Sequence, residues 1–252
     1  MTGVETGRLD RGDGVHLAWA RTPGHIHKPT TVFLPGFCSN MTGAKAIAME
    51  DWCRQAGLGC LRLDYSGHGA SDGAFTDGTI GRWMADALLL LDRLTEGPLL
   101  LVGSSMGGWI ALLLALARPD RLAGLIGVAA APDFTEALIW EAMMPRERER
   151  LRRDGVLLAP SPYGEPTPMT LALIEEGRDH LLMGAPIGIH CPVRLLHGQH
   201  DPDVPWETSL RLAERIESPD VQLTLVKDGD HRLSRNADLA VLRGLHASLI
   251  GG

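Results

Sequence analysis

The sequence is poor in cysteine and has no excess of basic side chains. Its four cysteines, spread over 252 residues, show no CxxC spacing, so nothing indicates a dense disulfide framework. Twenty-four basic against thirty-one acidic side chains leave a formal charge of −7, whereas a surface that binds a polyanion needs a basic excess. We therefore expect reduced thiols, as in a cytoplasm, and no nucleic acid among the partners.

The sequence also lacks an apolar segment that would direct it to or through a membrane. Residues 1–10 include Glu5 and Asp10 and have no apolar core of the kind found in secretory signals. The longest uncharged stretch, residues 97–117, contains Pro98 and several glycines, which is typical of a strand, a sharp turn and a helix. These features predict a cytoplasmic protein without a membrane span.

The chain does contain an alternation of apolar and amphipathic segments. Residues 31–34, 60–63 and 99–102 are short, mostly apolar runs, and stretches with a helical pattern separate them. This rhythm is typical of a parallel sheet covered by helices on both faces. It stops near residue 133 and resumes after residue 190. We predict one α/β domain over residues 1–252 with a small helical cap inserted at about 133–190, too short to be a second domain.

The most informative segment is the glycine–serine motif at Gly103-x-Ser105-x-Gly107, between an apolar strand and an apolar helix. A nucleophile on a sharp strand-to-helix turn has strained backbone geometry, and side chains two positions away would clash. Without chemistry, the same residues would be a plain glycine-rich turn. The strand–turn–helix context favours Ser105 as a nucleophile, whereas Ser104 lies one position outside the glycine frame.

A serine nucleophile needs a base and a carboxylate that orients the base. Among ten histidines, His231 follows the last apolar strand and precedes the last helix, at the sheet edge where such folds place their sites. After the preceding strand, Asp201 and Asp203 are two candidate acids, and either can instead be a turn aspartate that caps backbone amides. The order Ser…Asp…His is that of α/β hydrolases.

Cleavage of an ester also needs hydrogen-bond donors for the oxyanion. We expect one from the backbone amide of Met106, directly after the nucleophile, and one from the loop at 35–39, where Phe37 follows a glycine. Cys38 in the same loop is expected to be a small packed thiol. His25-x-His27 has no further ligand cluster beside it, so we predict no metal site and no cofactor.

Several segments together resemble those of α/β-hydrolase-fold serine hydrolases over nearly the whole chain. The closest resemblance is to the branch that contains the mitochondrial palmitoyl-protein thioesterase also described as an acyl-glucuronide esterase. The matching segments, in order, are Phe33-Leu34-Pro35-Gly36-Phe37, Leu63-Asp64-Tyr65-Ser66-Gly67-His68-Gly69-Ala70-Ser71-Asp72-Gly73, Gly103-Ser104-Ser105-Met106-Gly107-Gly108-Trp109, Arg194-Leu195-Leu196-His197-Gly198, Val204-Pro205-Trp206 and Asp230-His231-Arg232.

This resemblance implies a mostly parallel eight-stranded sheet and a triad of Ser105 as nucleophile, Asp201 as acid and His231 as base. It implies a small-molecule or acylated-protein substrate. The sequence departs from the mitochondrial members in beginning directly with the hydrolase segment, which suggests a bacterial-type cytosolic member. It also has Pro35-Gly36 where many α/β hydrolases have His-Gly, so the backbone donor is kept but any role of that histidine is lost.

The sequence thus predicts a serine esterase or thioesterase that works through an acyl-enzyme. Two alternatives stay open: a peptidase or C–C-bond hydrolase with the same triad, and a hydrolase-like binding protein without activity. Apolar residues of the insertion either line an acyl pocket or form the core of the insertion; these are Leu138, Ile139, Trp140, Met143 and Met144.

Overall fold

The computed structural model describes residues 3–25, 27–159 and 166–250. Its strands are β1 (Glu5–Asp10), β2 (His16–Thr22), β3 (Thr30–Leu34), β4 (Cys60–Leu63), β5 (Leu99–Ser104), β6 (Leu122–Val128), β7 (Val156–Ala159), β8 (Thr167–Thr170), β9 (Val193–Gly198) and β10 (Val221–Val226). Its α-helices are α1 (Ala44–Gln55), α2 (Ile80–Leu94), α3 (Met106–Ala117), α4 (Pro145–Asp154), α5 (Leu171–Gly177), α6 (Glu207–Arg215) and α7 (Asn236–Ile250).

Eight of these strands form one sheet in the order β1-β2-β4-β3-β5-β6-β9-β10. The pairs β1–β2 and β2–β4 are antiparallel, and the other pairs in this sheet are parallel. The parallel strands therefore all present their carboxyl ends at one edge, where the loops after β3, β5, β6, β9 and β10 meet. This is the mostly parallel eight-stranded sheet that the sequence predicted.

The apolar runs of the central strands are buried from both sides. In β5, Leu99 and Leu101 pack into a core shared with α2 and α3, whereas Leu100 and Val102 pack into the core under α1 and α7. Alternate side chains of a strand point to opposite faces, so a sheet covered on both faces needs apolar residues at every position. Within the described ranges, no helix is both long and apolar enough to cross a bilayer.

The insertion between β6 and β9 carries more than helices. It contains a π-helix (Thr135–Trp140), α4, α5 and a separate antiparallel pair, β7 with β8. The helical part agrees with the predicted cap, but the two strands were not anticipated because prolines surround and interrupt them: Pro168 lies within β8 itself. The segment 160–168 contains four prolines, and two of them, Pro160 and Pro162, lie outside the described residues. The single-domain organisation with its insertion at 133–190 stays a prediction.

Candidate active site

Ser105 lies on a sharp turn between β5 and α3. Its backbone has φ 55° and ψ −121°, a conformation that L-residues rarely adopt. A Cβ atom on Gly103 would lie 2.2 Å from the carbonyl oxygen of Gly107, and one on Gly107 would lie 2.1 Å from that of Leu34. A side chain at Gly103 would therefore push against the first turn of α3, and one at Gly107 would push α3 away from the end of β3, which is the physical reason for the spacing of the motif.

Backbone strain is concentrated at the same edge of the sheet. In the described part of the chain, the non-glycine residues with positive φ are Cys38, Ser105, Ala129, Asp133 and Leu233. All five lie in loops that follow the carboxyl ends of β3, β5, β6 and β10. Strain of this kind persists where the surrounding structure enforces it, and it clusters at functional sites.

The structure brings the three predicted residues Ser105, His231 and Asp201 together. His231 Nε2 lies 3.0 Å from Ser105 Oγ, and His231 Nδ1 lies 2.7 Å from Asp201 Oδ2. The loops that carry the acid and the base touch directly, since a Cβ on Gly198 would lie 2.3 Å from the carbonyl oxygen of Gly229. Hydrogen on Nδ1 leaves the Nε2 lone pair facing the serine hydroxyl.

Between the two candidate acids, the geometry favours Asp201, whose Oδ2 lies 2.7 Å from His231 Nδ1. Its side chain is fully buried, and its Oδ1 accepts hydrogen bonds from the amides of Asp203 and Val204 at 2.8 and 2.9 Å. Burial would raise the pKa of Asp201, but hydrogen bonds from His197 and His231 outweigh it and hold this pKa well below its usual range. Asp203 is exposed.

His197 was not among the candidate site residues of the sequence, yet it contacts the candidate acid. Its Nε2 lies 3.1 Å from Asp201 Oδ2. The signal that was available is its position: it is the last side chain of the buried strand β9, just before the turn that carries Asp201. Distances across that turn depend on its conformation, which spacing alone does not give.

The two proposed oxyanion donors flank Ser105. Met106 is the first residue of α3, and the amide there has no acceptor within its own helix. On the other side, a Cβ on Gly36 would lie 3.3 Å from Ser105 Cβ, so the loop that carries Phe37 packs against the nucleophile. The Phe37 ring packs 5.8 Å from Trp83, between centroids, which holds that loop in place. The donor roles stay predictions.

A cavity of about 740 Å³ opens beside Ser105, within the range of small-molecule sites. Its apolar lining comes from the oxyanion loop and the insertion, with Phe37, Phe134, Leu138, Ile139 and Met169. Its other part is polar and includes Asn40, Lys45, Asp203, Arg232 and Ser234. Burial lowers the pKa of Lys45 to about 8. The cavity thus offers both apolar and polar side chains next to Ser105.

The five apolar insertion residues named in the sequence analysis lie in different environments. Leu138 and Ile139 line the cavity. Trp140 and Met143 pack instead into a small core of the insertion, together with Leu151 and Ile174. Met144 is 66% exposed. Cavity lining and core packing therefore both occur in this segment, and the binding of an acyl group in the cavity stays a prediction. The expectation for Cys38 was wrong, because its thiol is exposed rather than packed.

One group of side chains at this edge has the spacing of metal ligands. Atoms of Asp201, Asp203 and His231 lie within 4.8 Å of one another. However, both Asp201 oxygens already accept hydrogen bonds from N–H groups, and His231 Nδ1 is turned to Asp201. A cation there would have to displace these bonds, so the arrangement fits a hydrogen-bonded acid and base better than a metal centre.

Comparison with known proteins agrees with this geometry. Residues 26–154 match the family model described as serine aminopeptidase, S33. Mouse palmitoyl-protein thioesterase ABHD10, mitochondrial, is 42% identical over 236 residues, which cover 93% of this chain and 78% of that protein.

Two solved structures are similar over nearly the whole chain. The crystal structure of a protein from Agrobacterium vitis S4, described as a hydrolase, superposes with a TM-score of 0.95 at 43% identity and covers 98% of this chain and 99% of that one. Mouse alpha/beta hydrolase domain-containing protein 10 superposes with a TM-score of 0.90 at 40% identity, and the match covers 98% of both chains. With its sheet order, its strained serine turn and these relatives, the chain belongs to the α/β-hydrolase family and is similar to the ABHD10 thioesterases.

Proposed function

We propose that this protein is a serine hydrolase that cleaves carboxylic esters or acyl thioesters through an acyl-enzyme. Hydrolysis of esters or thioesters is supported by the activities that name the relatives of this chain. The observation that carries the mechanism is the position of His231, whose two ring nitrogens lie 3.0 Å from Ser105 Oγ and 2.7 Å from Asp201 Oδ2. One imidazole can therefore exchange protons with the serine while a carboxylate fixes its tautomer.

In the first half of the reaction, Ser105 Oγ bonds to the acyl carbon while His231 Nε2 takes the serine proton. The carbonyl electrons move onto oxygen, and the amides of Phe37 and Met106 stabilise that charge. The N-terminus of α3 adds its dipole in the same direction. When the intermediate collapses, the bond to the leaving oxygen or sulfur breaks, and His231 returns its proton to the leaving group.

In the second half, water replaces the leaving group. His231 removes a proton from the water as its oxygen bonds to the acyl carbon, and the same donors hold the second oxyanion. Release of the acid restores the serine hydroxyl, so no cofactor enters the balance. Asp201 stays ionised throughout and stabilises the charged imidazole.

The cavity supports an assignment of its two regions. We place the acyl group against Phe134, Leu138 and Ile139, because these are apolar and line the cavity beside Ser105. The leaving group then occupies the polar region near Lys45 and Arg232. Each buried methylene contributes about 0.8 kcal/mol, or roughly fourfold in affinity, so kcat/KM is expected to rise from acetyl to octanoyl substrates until the pocket is full.

A peptidase with the same triad is the second candidate, and the description of the matched family model favours keeping it. An acyl site built for a bulky ring acid, as acyl-glucuronide cleavage requires, would give weak chain-length dependence and a preference for aromatic acyl groups. A cytoplasmic location stays a prediction, because the name of the mouse relative places that protein in mitochondria.

The test begins with a fluorophosphonate probe, which labels a competent serine. We expect labelling of the wild-type protein and of Ser104→Ala, and none of Ser105→Ala. A panel of p-nitrophenyl esters, acyl thioesters, acyl glucuronides and peptide amides then gives the substrate class. Labelling that persists in Ser105→Ala contradicts the mechanism, and rapid cleavage of amides with a flat acyl profile transfers the assignment to the peptidase.

A further inference from the structure

Asp201 is held by a second imidazole besides that of His231. His197, at the end of β9, is fully buried, and its ring lies between α6 and the turn that carries the acid. Its Nδ1 lies 2.7 Å from the hydroxyl of Ser209, and its Nε2 lies 3.1 Å from both Asp201 Oδ2 and the carbonyl oxygen of Val204.

These partners determine where the hydrogen on the His197 ring resides. A carboxylate and a carbonyl oxygen only accept, so Nε2 must carry a hydrogen and donate it toward them. The Ser209 hydroxyl can donate to Nδ1, which satisfies the neutral ring on both sides. Among the described residues, Asp201 is the charged group within hydrogen-bond distance of His197.

The Asp201 carboxylate is consequently bonded on every side. Its Oδ1 accepts two backbone amides of its own turn, and its Oδ2 accepts both His231 Nδ1 and His197 Nε2. Without His197, Asp201 Oδ2 would keep a single hydrogen-bond partner, His231 Nδ1. His197 provides a partner fixed to the sheet.

We infer that His197 is a positioning residue that acts through Asp201: it holds Oδ2 toward His231 and shares that oxygen's charge. The inference rests on the proposed function, since it needs Asp201 to be the acid. His197 does not line the cavity. Its loss should therefore lower kcat while KM stays nearly constant.

The second consequence is a change in pH dependence. While His197 donates to Oδ2, part of the carboxylate charge is neutralised, and Asp201 stabilises a protonated His231 less strongly. Removal of His197 returns that charge to the contact with His231, whereas the other carboxylate near His231, that of Asp203, is the same in every variant. The proton then leaves His231 only at higher pH, so the acid side of the kcat/KM profile should move upward.

The variants separate positioning from mere packing. His197→Gln places an amide N–H close to where Nε2 lies and should keep kcat within about threefold of wild type. His197→Leu removes the donor and should lower kcat roughly 10- to 100-fold, the range for a lost supporting partner or a small misplacement of a reacting group. His197→Asn is polar but too short to reach Oδ2, so it should behave like His197→Leu even if the leucine variant fails to fold.

The control is His246→Leu, which removes another fully buried histidine, far from the site. We would measure kcat, KM and the pH profile of each variant on a short p-nitrophenyl ester at the isosbestic wavelength. Reactivity of the wild type with fluorophosphonate, absent in Ser105→Ala, first establishes the proposed function independently. If His197→Leu and His197→Asn, once folded, keep the wild-type kcat and pH profile, or if His246→Leu shifts the profile equally, the inference is overturned while the proposed function stands.

Discussion

The sheet has a histidine beside a serine or a cysteine at each of its two ends. At the carboxyl end, His231 faces Ser105 next to a cavity of about 740 Å³. At the amino end, His246 lies 3.9 Å from Cys53 Sγ and 2.7 Å from the hydroxyl of Thr31, next to a cavity of about 200 Å³. The two ends share residue types but differ in what the second ring nitrogen contacts.

That second contact decides which histidine can act as a base. Trp52 Nε1–H donates to His246 Nδ1 at 3.0 Å, and an indole can only donate. His246 must therefore carry its hydrogen on Nε2, the nitrogen that faces Thr31 and Cys53, and it has no lone pair there to accept a proton. Asp201 imposes the opposite tautomer on His231. A carboxylate on Nδ1 leaves the Nε2 lone pair of His231 free to accept a proton from Ser105, whereas a tryptophan on Nδ1 places the hydrogen of His246 on Nε2 and prevents it from acting as a base there.

Access separates the two ends further. A hydrogen bond from the Cys60 thiol lowers the pKa of Cys53, so acidity alone would favour this thiol over a serine hydroxyl. However, Cys53 is 0% exposed, near the end of a regular helix. Ser105 is only partly buried and is presented on a strained turn. We therefore infer that reactivity at one end of the sheet requires three features together: a carboxylate beside the histidine, a turn that exposes the nucleophile, and a cavity next to it.

The largest expected effect comes from removing each nucleophile in turn. Ser105→Ala should lower kcat by roughly 10⁶-fold, as the loss of the serine does in a serine protease. Cys53→Ala should leave kcat within about twofold, because the His246 tautomer cannot take a proton from that thiol and the thiol is fully buried. Steady-state rates on an acyl thioester, with circular dichroism to show that both variants fold, provide the measurement. Comparable losses in the two variants would break the comparison.

The next effect tests the carboxylate that only the carboxyl end has. Asp201→Asn keeps the shape but lets the wrong His231 tautomer form, which should lower kcat by roughly 10⁴-fold. Asp203→Asn should cost less than about fivefold, since Asp203 is exposed and the substitution keeps the backbone amide that donates to Asp201 Oδ1. Rates measured over a range of pH check both. The reverse pattern would mean that Asp203 is the acid.

Much of the site at the carboxyl end could be predicted from the sequence because each of its residues lies in a short segment with a recognisable local pattern. The glycine spacing around Ser105, the turn after β9 and the turn after β10 each follow a buried apolar strand, and parallel strands bring such turns to one edge. The choice between Asp201 and Asp203 could not be made from the residues alone. It depends on the turn conformation, in which Asp201 Oδ1 binds the amides of residues 203 and 204.

The parts that could not be predicted depend on contacts between distant residues. His197 contacts Ser209 across α6, and His246 contacts Thr31 and Trp52 from the other end of the chain. No periodicity encodes such pairs. In the insertion, β7 and β8 were missed because a proline such as Pro168 in a short segment argues against a strand. In a two-stranded ribbon, however, both strands are edge strands, and an edge strand can accommodate a proline.

A smaller effect on kcat/KM is expected from a substitution in the lining of the larger cavity, beside Ser105. Leu138→Ala should lower kcat/KM for octanoyl substrates by roughly tenfold relative to acetyl ones, because two or more apolar carbons that contribute about 0.8 kcal/mol each are lost. Met144→Ala is the matched control in the same insertion, with a side chain 66% exposed that does not line the cavity. Its acyl profile should match that of wild type. An unchanged profile in Leu138→Ala would place the acyl group elsewhere.

The smallest effect on activity is expected from Trp52→Phe, which alters the amino end alone. The buried His246 Nδ1 loses its donor, which should lower the free energy of unfolding by about 1–3 kcal/mol while kcat/KM stays within about twofold. Without the indole, the hydrogen of His246 can also reside on Nδ1, which leaves a lone pair on Nε2 facing Cys53. The variant therefore distinguishes the two causes of an unreactive Cys53, the tautomer of His246 and the burial of the thiol. If access is limiting, alkylation of Cys53 by iodoacetamide should remain as slow as global unfolding, measured by urea denaturation. Fast alkylation of the folded variant would instead show that Trp52 alone keeps this thiol unreactive.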